Sequence, residues 1–579
     1  MNEAKKSVKD SREMRLKKEK KYLLISIIIA SISIGVLYVN RAQSYSYYER
    51  LSFESSTGSI LWANLYYPSK NLDFQEKYPL IIWTHGLGGQ RDLDLRVPIE
   101  FAKRGFYVAA LDYQGHGESQ GSIFDIDKTT NIPAIATDIS RLMDKIQTLD
   151  VYINKIDPNQ IGLVGHSLGG CVELMNYALD HRFKAAVTWA ALVDFDAKAL
   201  GIEDYEAFNK YVPVNLVNSS NTQNLLAIQH IHDEILDYTK NGLKLHELTG
   251  CKLITVTEPL PFSNHVLLSN KVLEETINWF ESHFFGSETK NGEIVITYVI
   301  NYVLLFFSLS WLVCTAIFLI LYLSNFFKFE KDKYLLLEEK ILEDHNKSKL
   351  IREIILFSII FLSIFAVFAY TLGIFGLFYG AIAILIIYFT SKSYRFFKEP
   401  KKMRHRDYLK IKARHQLHPK KLLFALLASL ILISFYLVFS ISYPFAFFFP
   451  SRFLYILAAY AAYPFYFALE IFYRRVIYPR LIFLKSPERT SEVKILIILI
   501  IQVLLMIIYW KLFITQSFLS SFLIILMVLI VNTIIYQKTE ITSSILLTSF
   551  IIIQIFFGTA ISNVLNLHAS QLILAVNLS

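Results

Sequence analysis

Hydrophobic residues are spread unevenly along this chain, and the unevenness limits what it can become. Residues 22–39 hold no charge, and residues 294–579 are mostly long apolar runs. Between them, residues 45–290 read as an ordinary globular stretch. A helix needs about 20 apolar residues to cross a hydrocarbon core. The chain therefore reads as a membrane protein carrying one globular domain, and at 579 residues it is too long for a single domain.

Charge orders the apolar runs. Residues 1–21 carry nine Lys and Arg against four acids and lead into Tyr22–Val39. An uncleaved anchor fits this run better than a signal peptide, because Val39-Asn-Arg-Ala-Gln43 is a poor small-residue cleavage site. Basic flanks stay in the cytoplasm, so the globular domain is expected outside. The further spans predicted are Tyr298–Leu323, Ile354–Tyr370, Ile374–Phe389, Leu422–Ile441, Phe453–Phe472, Ile495–Phe513, Phe518–Ile535 and Ile541–Val564. Lys392–Lys421 holds twelve basic residues against two acids, whereas links such as Thr371–Gly373 are nearly uncharged. Crossings then alternate without conflict, and the net charge of +9 points to anionic headgroups of a lipid bilayer, not to nucleic acid. Glu470 and Lys511 lie near the ends of their spans, where both could snorkel. With so few ionisable groups inside the spans, the sequence argues no transport path. The all-α transmembrane part reads as an anchor, or as a platform presenting a lipid-borne substrate. Cys171, Cys251 and Cys314 suggest neither a disulfide framework nor a metal site, and no cofactor is expected.

Within 45–290, β-like runs alternate with helical ones. Strands are predicted at Leu51–Glu54, Ser59–Tyr66, Leu80–Thr84, Phe106–Leu111, Ile161–Val164, Ala185–Trp189, Leu225–Gln229 and Leu253–Thr257. Helices are predicted at Val97–Arg104, Ile135–Leu149, Leu168–Leu179 and Lys271–His283. From Leu80 onward the strands are continuous apolar runs, as in a parallel sheet buried on both faces. This predicts an α/β fold, a mostly parallel sheet with helices on both faces, whose functional groups gather at the carboxyl ends of the strands.

Three constellations fall at those ends. Gly165-His-Ser-Leu-Gly169 is G-x-S-x-G between a strand and a helix, a turn that exposes the Ser167 hydroxyl. Leu168 N–H, at the helix start, can stabilise an oxyanion, and a backbone N–H of the loop His85-Gly-Leu-Gly-Gly89, that of Leu87, can be the second donor. Asp233 ends a strand and could orient a histidine, with Glu234, Asp194 and Asp196 as rivals. His265 follows the last strand and is the candidate base for Ser167, chosen by position among several histidines.

The order Ser167, Asp233, His265 resembles that of the α/β-hydrolases, close to their dienelactone-hydrolase, serine-aminopeptidase and monoglyceride-lipase-like branches. Asp112-Tyr-Gln-Gly-His-Gly-Glu-Ser-Gln-Gly121 is similar to the D-x-x-G-H-G-x-S-x-G segment of that family, and His85-Gly86 to its His-Gly. The chain departs from it at His230-Ile-His232, where the family often has a glycine before the acid. The resemblance implies Ser167 as nucleophile, His265 as base, Asp233 as acid, and Leu87 and Leu168 as backbone donors. His116, Gly117 and Ser119 are expected to shape a turn. Residues 194–223 fall where such folds insert a cap, or they form a passive excursion. The expected activity is hydrolysis of an ester, with a small-molecule or lipid acyl substrate; amide cleavage and acyl transfer use the same groups. The reading from a different class is a transporter or receptor whose α/β domain only binds ligand.

Overall fold

The computed structural model describes residues 2–69, 76–92, 94–198, 202–261, 263–286, 293–327, 329, 347–372, 379–388, 390, 410, 413–442, 463–477, 480, 500, 530–536, 538–539 and 547. They fall into two compact units, divided at Ser31 and at Ser308.

The unit from Ile32 to Ser308 is built on an eight-stranded sheet. Helix α1 (Asn2–Ser44) runs directly into β1 (Tyr45–Glu54), which pairs antiparallel with β2 (Ile60–Pro68). β3 (Tyr78–Thr84), α2 (Arg96–Ala102) and β4 (Tyr107–Asp112) follow, and every residue of the two strands is buried. A small ribbon of β5 (Ile126–Asp127) and β6 (Ile132–Pro133) leads to α3 (Asp138–Gln147) and α4 (Asp150–Lys155). Then come β7 (Ile156–His166), α5 (Leu168–Leu179), β8 (Ala185–Trp189), α6 (Tyr205–Asn209), α7 (Pro213–Leu216) and β9 (Leu225–His230). The last elements are α8 (Lys244–Thr249), β10 (Lys252–Val256), α9 (Asn270–Phe285) and α10 (Tyr298–Ser324).

The strand order is β1-β2-β4-β3-β7-β8-β9-β10. β2 meets β4 antiparallel, and every pairing from β4 to β10 is parallel. Parallel strands present their carboxyl ends along one edge, which sets the loops after β3, β7, β9 and β10 side by side. The buried runs expected of a two-sided parallel sheet are therefore what forms, and α5 has the predicted bounds. The helix expected over Ile135–Leu149 is instead broken. Residues Ala134–Ala136 make a 3-10 turn, Thr137 leaves helical geometry with φ −125°, and α3 and α4 follow. The break lets a carboxyl oxygen of the buried Asp138 accept the Gln114 backbone N–H at 2.9 Å. In the 194–223 stretch, Phe208 and Val212 are buried and join the core cluster of the sheet and α5.

A buried ionic cluster ties the antiparallel edge to the loop after β3. The Arg91 guanidinium pairs with Asp112 and donates to Asn64 at 3.0 Å and Glu118 at 2.8 Å. Glu118 also receives Arg50 at 2.5 Å. Burial works to raise the Asp112 pKa, but the Arg91 charge, helped by His85, holds the carboxyl below its usual range. In the same turn Gly117 has φ +49°, and a Cβ there would strike the Asp112 carboxylate. Ser119 Oγ donates to the Asp112 carbonyl at 2.5 Å and accepts the Trp62 N–H at 2.8 Å. The D-x-x-G-H-G segment thus closes a turn around the ion pair.

Among the described residues, four helices are long and apolar enough to cross a membrane: Leu16–Ser44, Tyr298–Ser324, Lys347–Phe368 and Ala413–Phe435. A shorter apolar helix covers Tyr379–Tyr388. The spans expected at Ile495–Phe513, Phe518–Ile535 and Ile541–Val564 lie largely or wholly outside the described residues, as does Lys511. Glu470 does not snorkel. It is 2% exposed and pairs at 3.1 Å with Arg474, one helical turn on, which also donates to Thr533 Oγ1 at 2.6 Å. Spacing of four residues puts the two charges on one face, where pairing costs less than leaving either alone.

Removing one partner of a buried ion pair strands the other charge, at a cost of about 3–5 kcal/mol. Asp112→Asn should show that loss as a markedly lower unfolding temperature of the detergent-solubilised protein. Since the folded pKa of Asp112 is depressed, its contribution is present above the ordinary aspartate range and is lost as pH falls through the lowered value. The acid limb of wild-type stability should therefore flatten in the variant.

Candidate active site

Ser167 stands between the end of β7 and the start of α5 with φ +55° and ψ −119°. A residue with a side chain pays about 1–3 kcal/mol for such a backbone, so its surroundings must hold it. The Ser167 N–H donates to the Trp189 carbonyl at 2.9 Å, and the Ser167 carbonyl accepts Leu192 N–H at 3.0 Å and Cys171 N–H at 3.2 Å. Gly169 lets α5 press onto the end of β3. A Cβ there would lie 2.3 Å from the His85 carbonyl oxygen and 2.4 Å from that of Thr84.

The loop after β3 closes against the same serine. Gly89 N–H bonds the Gly86 carbonyl at 3.0 Å. A Cβ on Gly86 would stand 3.3 Å from Ser167 Cβ, so this loop lies beside the hydroxyl. Leu87 is within that turn. Leu168 is the first residue of α5, and a helix's first N–H groups have no intrahelical acceptor.

The structure brings the three predicted side chains together. His265 Nε2 lies 2.9 Å from Ser167 Oγ, and its Nδ1 lies 2.9 Å and 3.0 Å from the two Asp233 oxygens. Asp233 also accepts the Ile235 and Leu236 N–H groups, each at 2.9 Å. Burial pushes the Asp233 pKa up, but the hydrogen bond and charge of His265, with these N–H groups, hold it below the usual range. A carboxylate fixed at Nδ1 keeps the proton on that nitrogen, which leaves the Nε2 lone pair facing the hydroxyl.

The rivals do other work. Glu234 accepts the Asn264 N–H at 3.1 Å and the Ser263 hydroxyl, pinning the loop that carries His265. Asp196 accepts Lys198 N–H at 2.9 Å within the 194–223 stretch, and the Asp194 N–H meets Asn241 Oδ1 at 3.4 Å. Where the family often has a glycine, His230 Nδ1 accepts the His232 N–H at 2.9 Å and its Nε2 bonds the Glu258 carbonyl at 3.0 Å. The histidine closes the turn with its side chain.

Sequence reasoning missed His166. Its Nε2–H donates to the His265 carbonyl at 2.9 Å. Burial, with His265 beside it, pushes its pKa down to about 3, so the ring stays neutral. Its place inside G-x-S-x-G was visible, but the partner loop lies 99 residues on.

Residues 75–247 match the family described as Serine aminopeptidase, S33. With the sheet above, that match decides the class. This chain carries an α/β-hydrolase domain. The family match includes Ser167 and Asp233 but ends before His265. An uncharacterised 31.7 kDa protein of Escherichia coli is 35% identical over 127 residues, covering 22% of this chain and 41% of that one. The platelet-activating factor acetylhydrolase of Bos taurus is 25% identical over 188 residues, covering 24% and 39%. Among solved structures, the α/β hydrolase GrgF from Penicillium sp. sh18 is 16% identical, covering 41% of this chain and 99% of that one, with a TM-score of 0.33. The chain spans about two-fifths of the length of each of these two curated relatives.

Because the Ser167 backbone is strained, its replacement by glycine and by alanine should differ in stability. Ser167→Gly should be more stable than Ser167→Ala by about 1 kcal/mol, the relief of strain outweighing glycine's extra chain entropy. Thermal unfolding of the two variants side by side checks this; equal midpoints would mean an unstrained turn.

Proposed function

We propose that the chain is a membrane-bound serine hydrolase that cleaves an ester through an acyl-enzyme. The observation carrying this reading is the unbroken line of hydrogen bonds from Ser167 Oγ through His265 to Asp233. A serine hydroxyl is a weak nucleophile until a base takes its proton. In this reading His265 Nε2 takes the proton as Ser167 Oγ attacks the acyl carbonyl, and Asp233 holds the imidazolium that forms. The Leu87 and Leu168 N–H groups receive the developing oxyanion. His265 returns the proton to the leaving alcohol, and water then repeats the sequence to free the acid.

An ester substrate is supported by the bovine relative, which is an acetylhydrolase by name. A lipid or other amphiphile is favoured because four described helices can cross a bilayer. The basic first 21 residues support an N-terminus in the cytoplasm and a hydrolase domain outside. The family description supports a second reading on the same residues, hydrolysis of a peptide bond.

The test is labelling of intact cells with a membrane-impermeant fluorophosphonate. The wild type should label, Ser167→Ala should not, and Asp233→Asn should label about ten-thousand-fold more slowly. Labelling only after permeabilisation would reverse the orientation. No labelling under either condition would remove the activated serine, and with it the hydrolase reading. Turnover of a short-chain ester, set against an aminoacyl amide, then separates the two substrate classes.

A further inference from the structure

The loop that carries His265 is held by more than Asp233 and His166. Leu267, two residues on, is fully buried with φ +53°, a backbone that a leucine adopts only when its neighbours impose it. Arg96 bonds to this same stretch of backbone. One guanidinium nitrogen, Nη1, donates to both the Val266 carbonyl at 3.1 Å and the Leu267 carbonyl at 3.0 Å. The guanidinium is held in turn by Asp94, at 3.0 Å from Nε and 2.7 Å from Nη2. It also lies 4.8 Å from the ring centre of Trp189, whose carbonyl receives the Ser167 N–H. Arg96 thus reaches both sides of the Ser167–His265 hydrogen bond without touching either side chain.

The same segment grips the start of α10. Leu95, between Asp94 and Arg96, donates its N–H to Tyr302 Oη at 3.0 Å. On α2, the buried Glu100 carboxylate accepts the Thr297 N–H at 2.7 Å and the Tyr298 N–H at 2.6 Å, capping the first turn of α10. Lys103 Nζ adds a bond to Thr297 Oγ1 at 2.8 Å. A carboxylate on the unpaired N–H groups of a helix start is a strong anchor, since charge and dipole agree. The residues from Asp94 to Lys103 therefore bond to the His265 loop through Arg96 and to the first turns of α10 through Leu95, Glu100 and Lys103.

We propose that Arg96 is a positioning residue for His265, and that Tyr302, on the apolar helix α10, sets Arg96 in place. The proposal rests on the Ser167–His265–Asp233 reading. Under it, the helix that reads as the first membrane span after the hydrolase domain is part of the catalytic frame. Displacing that helix would shift the Val266 and Leu267 carbonyls, and with them the imidazole. A base displaced by about 1 Å can cost on the order of 100-fold in rate.

The experiment measures second-order fluorophosphonate labelling rates of the full-length protein in detergent micelles. Ser167→Ala is the control: labelling of the wild type that it abolishes shows the nucleophile reading to be sound, so the rates of the other variants bear on the proposal alone. Arg96→Met should label about 100-fold more slowly, and Tyr302→Phe, which removes one oxygen, about 3- to 10-fold more slowly. In a His265→Ala background both substitutions should change the residual rate by less than about 2-fold, because a positioning residue has nothing left to position. Tyr302→Phe guards against simple misfolding of Arg96→Met. Full-rate labelling by either single variant overturns the proposal. So does a loss that persists in the His265→Ala background, since that would be general damage to the fold.

Discussion

A serine that exposes its hydroxyl between a strand and a helix must adopt a backbone it would not choose, and the rest of the domain supplies the means. Ser167 is fixed by bonds to Trp189, Leu192 and Cys171, all of them backbone to backbone. None depends on a side chain that could rotate away. The glycine at 169 removes the one Cβ that would push α5 off the end of β3. The helix can then start at Leu168, directly after the hydroxyl-bearing residue. Strain and close packing are in this sense one arrangement.

Near that turn, two buried arginines are held by carboxylates. Arg91 joins Asp112, Glu118 and Asn64 at the antiparallel edge, and Arg96 joins Asp94 and two carbonyls next to His265. Both arginines lie in the stretch after the β3 loop, and both use the flat guanidinium to bridge segments far apart in the chain. Arg474 and Glu470 make a third such pair, among apolar helices. An isolated charge in any of these places would cost several kcal/mol.

Much of this was legible in the residues. The apolar runs from Leu80 onward marked the buried parallel strands, because a strand covered on both faces needs no polar alternation. Ser167, Asp233 and His265 were found from their places after strands, and the structure sets them in hydrogen-bond reach. The break at Thr137 was not legible, since it answers to Asp138 reaching Gln114 on another segment. Nor was the pairing of Glu470, whose apparent position near a helix end hid its burial.

The features that could be read from residues alone are local or periodic: the apolar lengths, the strand and helix order, the turn that holds Ser167 and the types of residue able to do chemistry. Which acid meets His265 depends on the folded chain, where Asp233 faces the imidazole and Glu234 turns to the loop. The roles of Arg96, His166 and Glu100 depend on it as well. Each acts on backbone groups at least 99 residues away, at His265, Val266, Leu267, Thr297 and Tyr298. A backbone carbonyl or N–H has no identity in a sequence, so a side chain that exists to hold one can be recognised only after the chain has folded.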